Sequence, residues 1–207
     1  MRIPMIKKII FALFASFFLP SIASAGADKY EFDKSHTHII FLVSHLGFSN
    51  MIGRIKDYDG YFTFDEKEPE KSAVDVTLKT ASVDTDVPAL NKELYGEHFF
   101  NVEKFPDIRF KSTKITVTGK NTGDITGDVT MLGVTRPVVL HVTYNKSGIH
   151  PYTNNYTSGF TADAVVKRSD FGMNAFAPPV VGDDVKLHLE VEGVDPLKHP
   201  GNSKTPH

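Results

Sequence analysis

From Gly127 to Tyr144 the chain reads Gly-Asp-Val-Thr-Met-Leu-Gly-Val-Thr-Arg-Pro-Val-Val-Leu-His-Val-Thr-Tyr. Val129 and Met131 alternate with Asp128 and Thr130 on the way in. Val138, Leu140, Val142 and Tyr144 alternate with Val139, His141 and Thr143 on the way out. A strand sends successive side chains to opposite faces, so this stretch predicts a β-hairpin with one apolar face. Gly133 gives the backbone its freedom at the reversal. Pro137 has no N–H to donate, which confines its segment to a strand start or an edge. The apolar face carries no catalytic-looking group, so the chain reads as one that wraps a greasy interior.

The same period of two recurs in Val74, Val76 and Leu78, in Phe160, Ala162, Ala164 and Val166, and in Val185, Leu187, Leu189 and Val191. His38 to His45 is apolar on both faces, as in a strand covered on both sides. A break at Gly47 to Ile52 precedes Tyr58, Phe62 and Phe64, with Tyr61 on the other face. Between Asp107 and Thr118 the apolar positions change parity, from Ile108 and Phe110 to Ile115 and Val117. That change predicts a bulge. Asp65–Lys71 is a charged turn, Asn121–Asp124 has turn chemistry, and Lys146–Tyr156 reads as a polar loop. Ala81–Pro106 and Arg168–Gly182 are longer excursions. The first holds a short helix, with Asp86 as its cap, Pro88 in its first turn, Gly96 at its end, and Leu90 and Leu94 one turn apart. From His38 onward there are eight strand candidates. Eight mostly antiparallel strands with one apolar face suit a closed barrel or a sandwich. An eight-stranded barrel holds either packed side chains or one slim ligand, and periodicity leaves both open.

Residues 1–25 read as a cleavable export signal. Arg2, Lys7 and Lys8 form a positive start, Ile9 to Leu19 an apolar run, and Ala23-Ser24-Ala25 a small-residue cleavage site. The run is shorter than the roughly 20 residues that span a bilayer. The expected address is the periplasm. The formal net charge is −2, and removing the signal makes the chain more acidic, which argues against nucleic-acid binding. There is no cysteine. That excludes a thiolate nucleophile, a cysteine-held metal and a lipoprotein anchor, and leaves a packed core to hold an exported fold alone.

Several stretches carry a resemblance. They are Tyr30-Glu31-Phe32-Asp33 with His36, Phe41 to Ser49, Ala81 to Thr85, Phe99 to Pro106, Phe110 to Thr113, Gly127 to Val138, Arg168 to Met173, and Val181 to Val185. In this order they resemble the YceI family of bacterial periplasmic proteins over essentially the whole exported chain. The resemblance implies an all-β fold: an eight-stranded antiparallel lipocalin-like barrel over residues 26–194, with one short helical excursion and a hydrophobic tunnel. It implies a long isoprenoid (a polyisoprenoid, quinone or prenyl phosphate) or similar amphiphile as ligand, and a homodimer. One departure stands out. Where the family carries Arg-Asp-x-His-Leu, this chain has Leu90-Asn91-Lys92-Glu93-Leu94, which points to a different head group.

Other chemistry is thin. His36 and His38 would face the same way on one strand and suit a metal, but no Asp or Glu stands at a convincing spacing, so no metal site is expected. Ser44 and Ser169 lack nucleophile-elbow glycines. Asp183 and Asp184, adjacent on a strand, point to opposite faces and cannot act together on one bond. Arg168 opens a long loop where a barrel mouth would lie, and has two readings: a salt bridge to Asp170, or a charge-assisted contact to an anionic head group. The leading expectation is a carrier or reservoir without enzymatic activity, with no cofactor beyond its bound isoprenoid or acyl lipid; the alternatives are a metal-dependent enzyme using His36 and His38, or a structural or stress protein with a filled barrel. Its partners are that lipid and, transiently, a membrane or membrane protein. The expected wall is Phe41, Val43, Val129, Met131, Leu140, Val142, Phe160, Ala162, Leu187 and Leu189, with Arg168 and His36 at the ends. Residues 195–207, rich in Pro, Lys and His, read as a disordered tail.

Overall fold

A computed structural model of the chain describes residues 26–198. The expected signal, 1–25, and residues 199–207 lie outside the described residues. The strands form eight runs. β1 (Asp28–Phe32) and β2 (His38–His45) are successive parts of the first, β3 (Ser49–Ile55) and β4 (Tyr58–Phe64) of the second, β5 (Ala73–Lys79) and β6 (Val83–Asp84) of the third. In each case the halves pair with corresponding halves of the next run: β1 with β4, β2 with β3, β4 with β5 and β3 with β6. β7 (Asp107–Val117), β8 (Thr122–Met131), β9 (Val134–Ile149), β10 (Tyr156–Lys167) and β11 (Val181–Asp195) complete the set. β11 closes the ring by pairing first with β2 and then with β1. The result is an eight-stranded antiparallel barrel with one α-helix, α1 (Pro88–Tyr95). No described helix is long and apolar enough to cross a membrane.

The barrel has two unlike ends. One carries the tight turns Leu46-Gly47 and Leu132-Gly133, the excursion 85–106 with α1, and loop 168–180. This is the capped end. Phe99, Phe171 and Met173 drop into it from those loops and pack on Ile39, Ile55, Ile108 and Met131. The other, open end carries the chain start, loop 65–72, turn 118–121 and loop 150–155. Its half of the interior is aromatic. Tyr30 stacks on Phe62 at 5.0 Å, and Phe160 meets Phe62 and Phe64 edge-on at 5.6 and 5.0 Å. The rings fit because small residues face them: the Phe62 ring lies against Gly193, where there is no room for a Cβ.

The alternation and the expected bulge are both found: the β7–β8 register shifts between Ser112 and Lys114. Other expectations need correction. β3 begins at Ser49, so the break is only the three-residue turn Leu46-Gly47-Phe48. Leu46 and Gly47 have φ of 53° and 75°, and Leu132 and Gly133 have 54° and 76°. Between the paired Met131 and Val134, two positive φ values are what a two-residue hairpin of the mirror-image type requires. β8 starts at Thr122 and β9 runs on to Ile149, so both expected polar turns are shorter than the sequence implied. Asp86 does not cap α1; its side chain bonds Arg54 at 3.0 Å. Asn91 ties the helix down instead. Its Oδ1 accepts from Thr85 N at 2.8 Å, and its Nδ2 donates to Asp84 at 2.8 Å. The expected tail begins too early. Asp195 ends β11 buried, and Lys198 pairs with Asp28.

Candidate functional site

Inward alternation on the middle strands builds one wall of an interior cavity. β7 contributes Ile115 and Val117, β8 Ile125, and β9 Leu140, Val142 and Tyr144. Phe62 and Phe64 from β4 face them, with Phe160 and Ala162 from β10 and Leu189 and Val191 from β11. The cavity measures about 280 Å³ and reaches the open end between loop 65–72 and turn 118–121, where Glu66, Pro69, Ser72 and Lys120 line it. At that rim Tyr156 Oη donates to Glu66 Oε1 at 2.6 Å. Burial and this carboxylate hold the tyrosine hydroxyl well above its ordinary pKa. It is a fixed donor at neutral pH, not an acid. An apolar chamber with a sparse polar rim can bury a hydrocarbon chain.

Of the expected wall residues, Leu140, Val142, Phe160, Ala162 and Leu189 line this cavity. Phe41, Val129 and Met131 pack at the capped end. Val43 shares their face, since it pairs with Val185 two steps along from Phe41–Leu187. Leu187 lines a separate cavity. Ile115, Val117, Ile125, Phe62, Phe64 and Tyr144 were not on the expected list. Their alternation was visible, but not the end of the barrel at which they stand.

Two expected contacts are overturned. Arg168 is 4% exposed, and all five of its N–H groups go to backbone carbonyls. Nε donates to Gly182, one terminal nitrogen to Met173 and Ala175, the other to Phe176 and Val181, at 2.7–3.2 Å. No donor is left for a head group, and there is no bond to Asp170. Arg168 ties loop 168–180 into the knot that carries Phe171 and Met173. His36 stands outside the barrel on an exposed turn, its Nδ1 2.8 Å from Asp33 Oδ2. That carboxylate raises the imidazole pKa. Asp33, His36 and Glu192 are the group that could hold a metal among the described residues; His38 is not part of it. Asp183 and Asp184 are separately engaged, by Ser169 at 2.8 Å and Lys167 at 2.7 Å.

Known proteins place this barrel. A UPF0312 protein of Serratia proteamaculans is 41% identical over 192 residues, 92% of this chain and 98% of that relative. Burkholderia cenocepacia BcnA superposes with a TM-score of 0.72 at 21% identity, over 78% of this chain and 99% of that one. A polyisoprenoid binding domain from Saccharophagus degradans superposes with a TM-score of 0.62 at 11% identity, over 81% of this chain and 98% of that domain. Both share the fold. The model of the YceI-like domain matches residues 30–193, and the chain belongs to that family.

Proposed function

We propose that this protein is a binding protein, not an enzyme: a periplasmic carrier or reservoir that holds the chain of a long isoprenoid or acyl lipid inside its barrel and exchanges it with a membrane or membrane protein. The observation that carries the reading is the apolar cavity at the open end. The polyisoprenoid-binding domain of the same fold supports it, as does the family match. Each methylene removed from water contributes roughly 0.8 kcal/mol, so a chain binds firmly with few polar contacts. At about 280 Å³ the cavity lies near the small end of ligand pockets, which run about 300–1,000 Å³. It takes part of a long chain, and the rest needs neighbouring space. The replaced Arg-Asp-x-His-Leu segment lies on α1 at the capped end, where Asn91 makes local bonds. Its loss therefore bears on how the cap is held, away from the open rim.

The test is mass spectrometry of an organic extract of protein purified from its native periplasm, alongside Ala162→Phe. Ala162 is 5% exposed and lines the cavity. One long-chain species near one per chain, lost in the folded variant, is the expected result. An empty extract from well-folded protein, or retention unchanged by the variant, sinks the reading.

A further inference from the structure

The barrel wall is parted at one place. β9 and β10 pair from Ile149↔Tyr156 as far as His141↔Asp163, and there the ladder ends. Both strands continue, β9 back to Val134 and β10 on to Lys167. Over that stretch each keeps its other neighbour: Val138 pairs with Gly127 of β8, and Val166 with Val185 of β11. Pro137 sits on the parted stretch, and a proline has no N–H to offer a neighbouring strand. A cavity of about 610 Å³ occupies the parting. Val138, Ala164 and Leu187 line it from the inner face, Val139 and Val165 from the outer, and the buried Phe171 also borders it.

This cavity is next to the chamber at the open end. On three adjacent strands the lining passes from one to the other at the next inward residue: Val138 to Leu140, Ala164 to Ala162, and Leu187 to Leu189. Inward neighbours on a strand lie about 7 Å apart. No residue lines both cavities, so the partition is one layer of side chains, and on β10 that layer is two alanines.

The charges around the parting are not balanced. Lys167 is held by Asp184 at 2.7 Å, Asp163 by His188 at 2.7 Å, and His141 by Asp124 at 2.8 Å. Arg136 donates only to the carbonyl of Thr135, at 3.2 Å, and Lys186 has no side-chain partner among the described residues. One carboxylate there, Asp170, is also without a side-chain partner among the described residues. Two unpaired cations therefore flank an opening whose floor is apolar.

We propose that the parted seam between β9 and β10 is a side portal. It seats the anionic head of a single-chain amphiphile at Arg136 and Lys186, while the chain runs past Ala164 and Ala162 into the chamber at the open end. This rests on the lipid-binding reading and adds to it the place of the head group and the path of the chain. It also supplies the space that the chamber alone lacks.

Farnesyl phosphate and farnesol, which share a chain and differ in the head, are the probes, with binding read by calorimetry on the full exported chain. The double variant Arg136→Glu, Lys186→Glu is expected to weaken farnesyl phosphate by about tenfold or more, the scale of lost charge-assisted bonds, and to leave farnesol unchanged. The second variant is Val165→Cys, at a residue 59% exposed in a chain with no cysteine of its own. A bulky maleimide added after folding should slow farnesyl phosphate uptake without altering the circular dichroism. If the unaltered protein binds both probes, and neither charge reversal nor the label changes affinity or uptake, the portal is overturned and lipid binding stands. If it binds neither probe, the lipid reading falls and the portal with it.

Discussion

The two ends of the barrel are made from the same alternating strands, yet at one the loops pack the interior beside the cavity in the parted wall, and at the other the interior itself is left open. At the capped end two long loops turn inward. The 85–106 excursion brings Phe99, and loop 168–180 brings Phe171 and Met173, into contact with Ile39, Ile55 and Met131. At the open end the connections are short or charged, and residues 65–72, 118–121 and 150–155 send no large apolar side chain into the core. The strands set the wall, and the loops decide whether the space within is core or chamber. A ligand-binding barrel needs both: a packed half to hold the fold without disulfides, and an unpacked half to receive a guest.

The sharpest way to break the comparison is to undo the knot. Arg168→Leu leaves five carbonyls, three in loop 168–180 and two at the start of β11, without their donor. Buried hydrogen bonds from a charged group are among the costliest to remove, and we expect a loss of about 3–5 kcal/mol in urea unfolding. A loss below about 1 kcal/mol would show that the loop is held by its apolar contacts alone.

Next comes a matched pair. Phe171 is 2% exposed, and Phe171→Ala should cost about 3–5 kcal/mol. Phe160 is half-buried and borders the chamber. Phe160→Ala removes a ring that is less buried than that of Phe171, so its cost should be smaller, and the variant should hold a longer chain. Equal losses in the two variants, with no change in the lipid retained, would erase the distinction between core and chamber.

This division also marks what could be read from the sequence. Alternation told which residues face inward, and the change of parity after Phe110 located a bulge. It did not tell which end of the barrel an inward residue occupies. Phe41 and Leu140 look alike in the sequence, but one is core and the other chamber wall. Arg168 looked like a mouth residue because its loop is long, and nothing local announces that the loop folds back over it. The turn after His45 was read too late and too long, because leucine rarely takes a positive φ and nothing at Leu46 marks the reversal. The end of β9 was missed because Ser147 points inward to bond Ser158 at 2.7 Å, a polar contact where the pattern led one to look for an apolar residue.

Acid should loosen the capped end before the open one. Asp84 accepts from Lys56 at 2.8 Å, from Asn91 at 2.8 Å and from the Asp86 amide at 3.0 Å. These bonds, Lys56 first, hold its carboxyl well below the ordinary range. A depressed folded-state pKa means that the stabilisation is complete above the unfolded value, near pH 4, and is lost as the pH falls below it. The protection of the α1 amides against hydrogen exchange, relative to their intrinsic rates, should therefore fall progressively as the pH drops below about 4. Asp84→Asn should exchange faster at neutral pH and flatten that dependence. The same pH slope in both proteins would mean that Asp84 does not anchor the excursion.

The smallest effect belongs to the open half. Tyr30 is 0% exposed, and its Oη has no hydrogen-bond partner among the described residues. The neighbouring Ser158 hydroxyl is bonded to Ser147 at 2.7 Å, and burial is the main cause that raises the phenol's pKa. Tyr30→Phe keeps the ring stacked on Phe62 and removes the orphan oxygen. We expect stability unchanged or raised by up to about 1 kcal/mol, because a buried polar group without a partner carries its desolvation cost uncompensated. Tyr156→Phe is the contrast, since its hydroxyl donates to Glu66, and it should lose stability where Tyr30→Phe does not. A loss from Tyr30→Phe as large as that from Tyr156→Phe would give the Tyr30 hydroxyl a working partner. It would also move the polar boundary of the open half from the rim to the interior of the aromatic box.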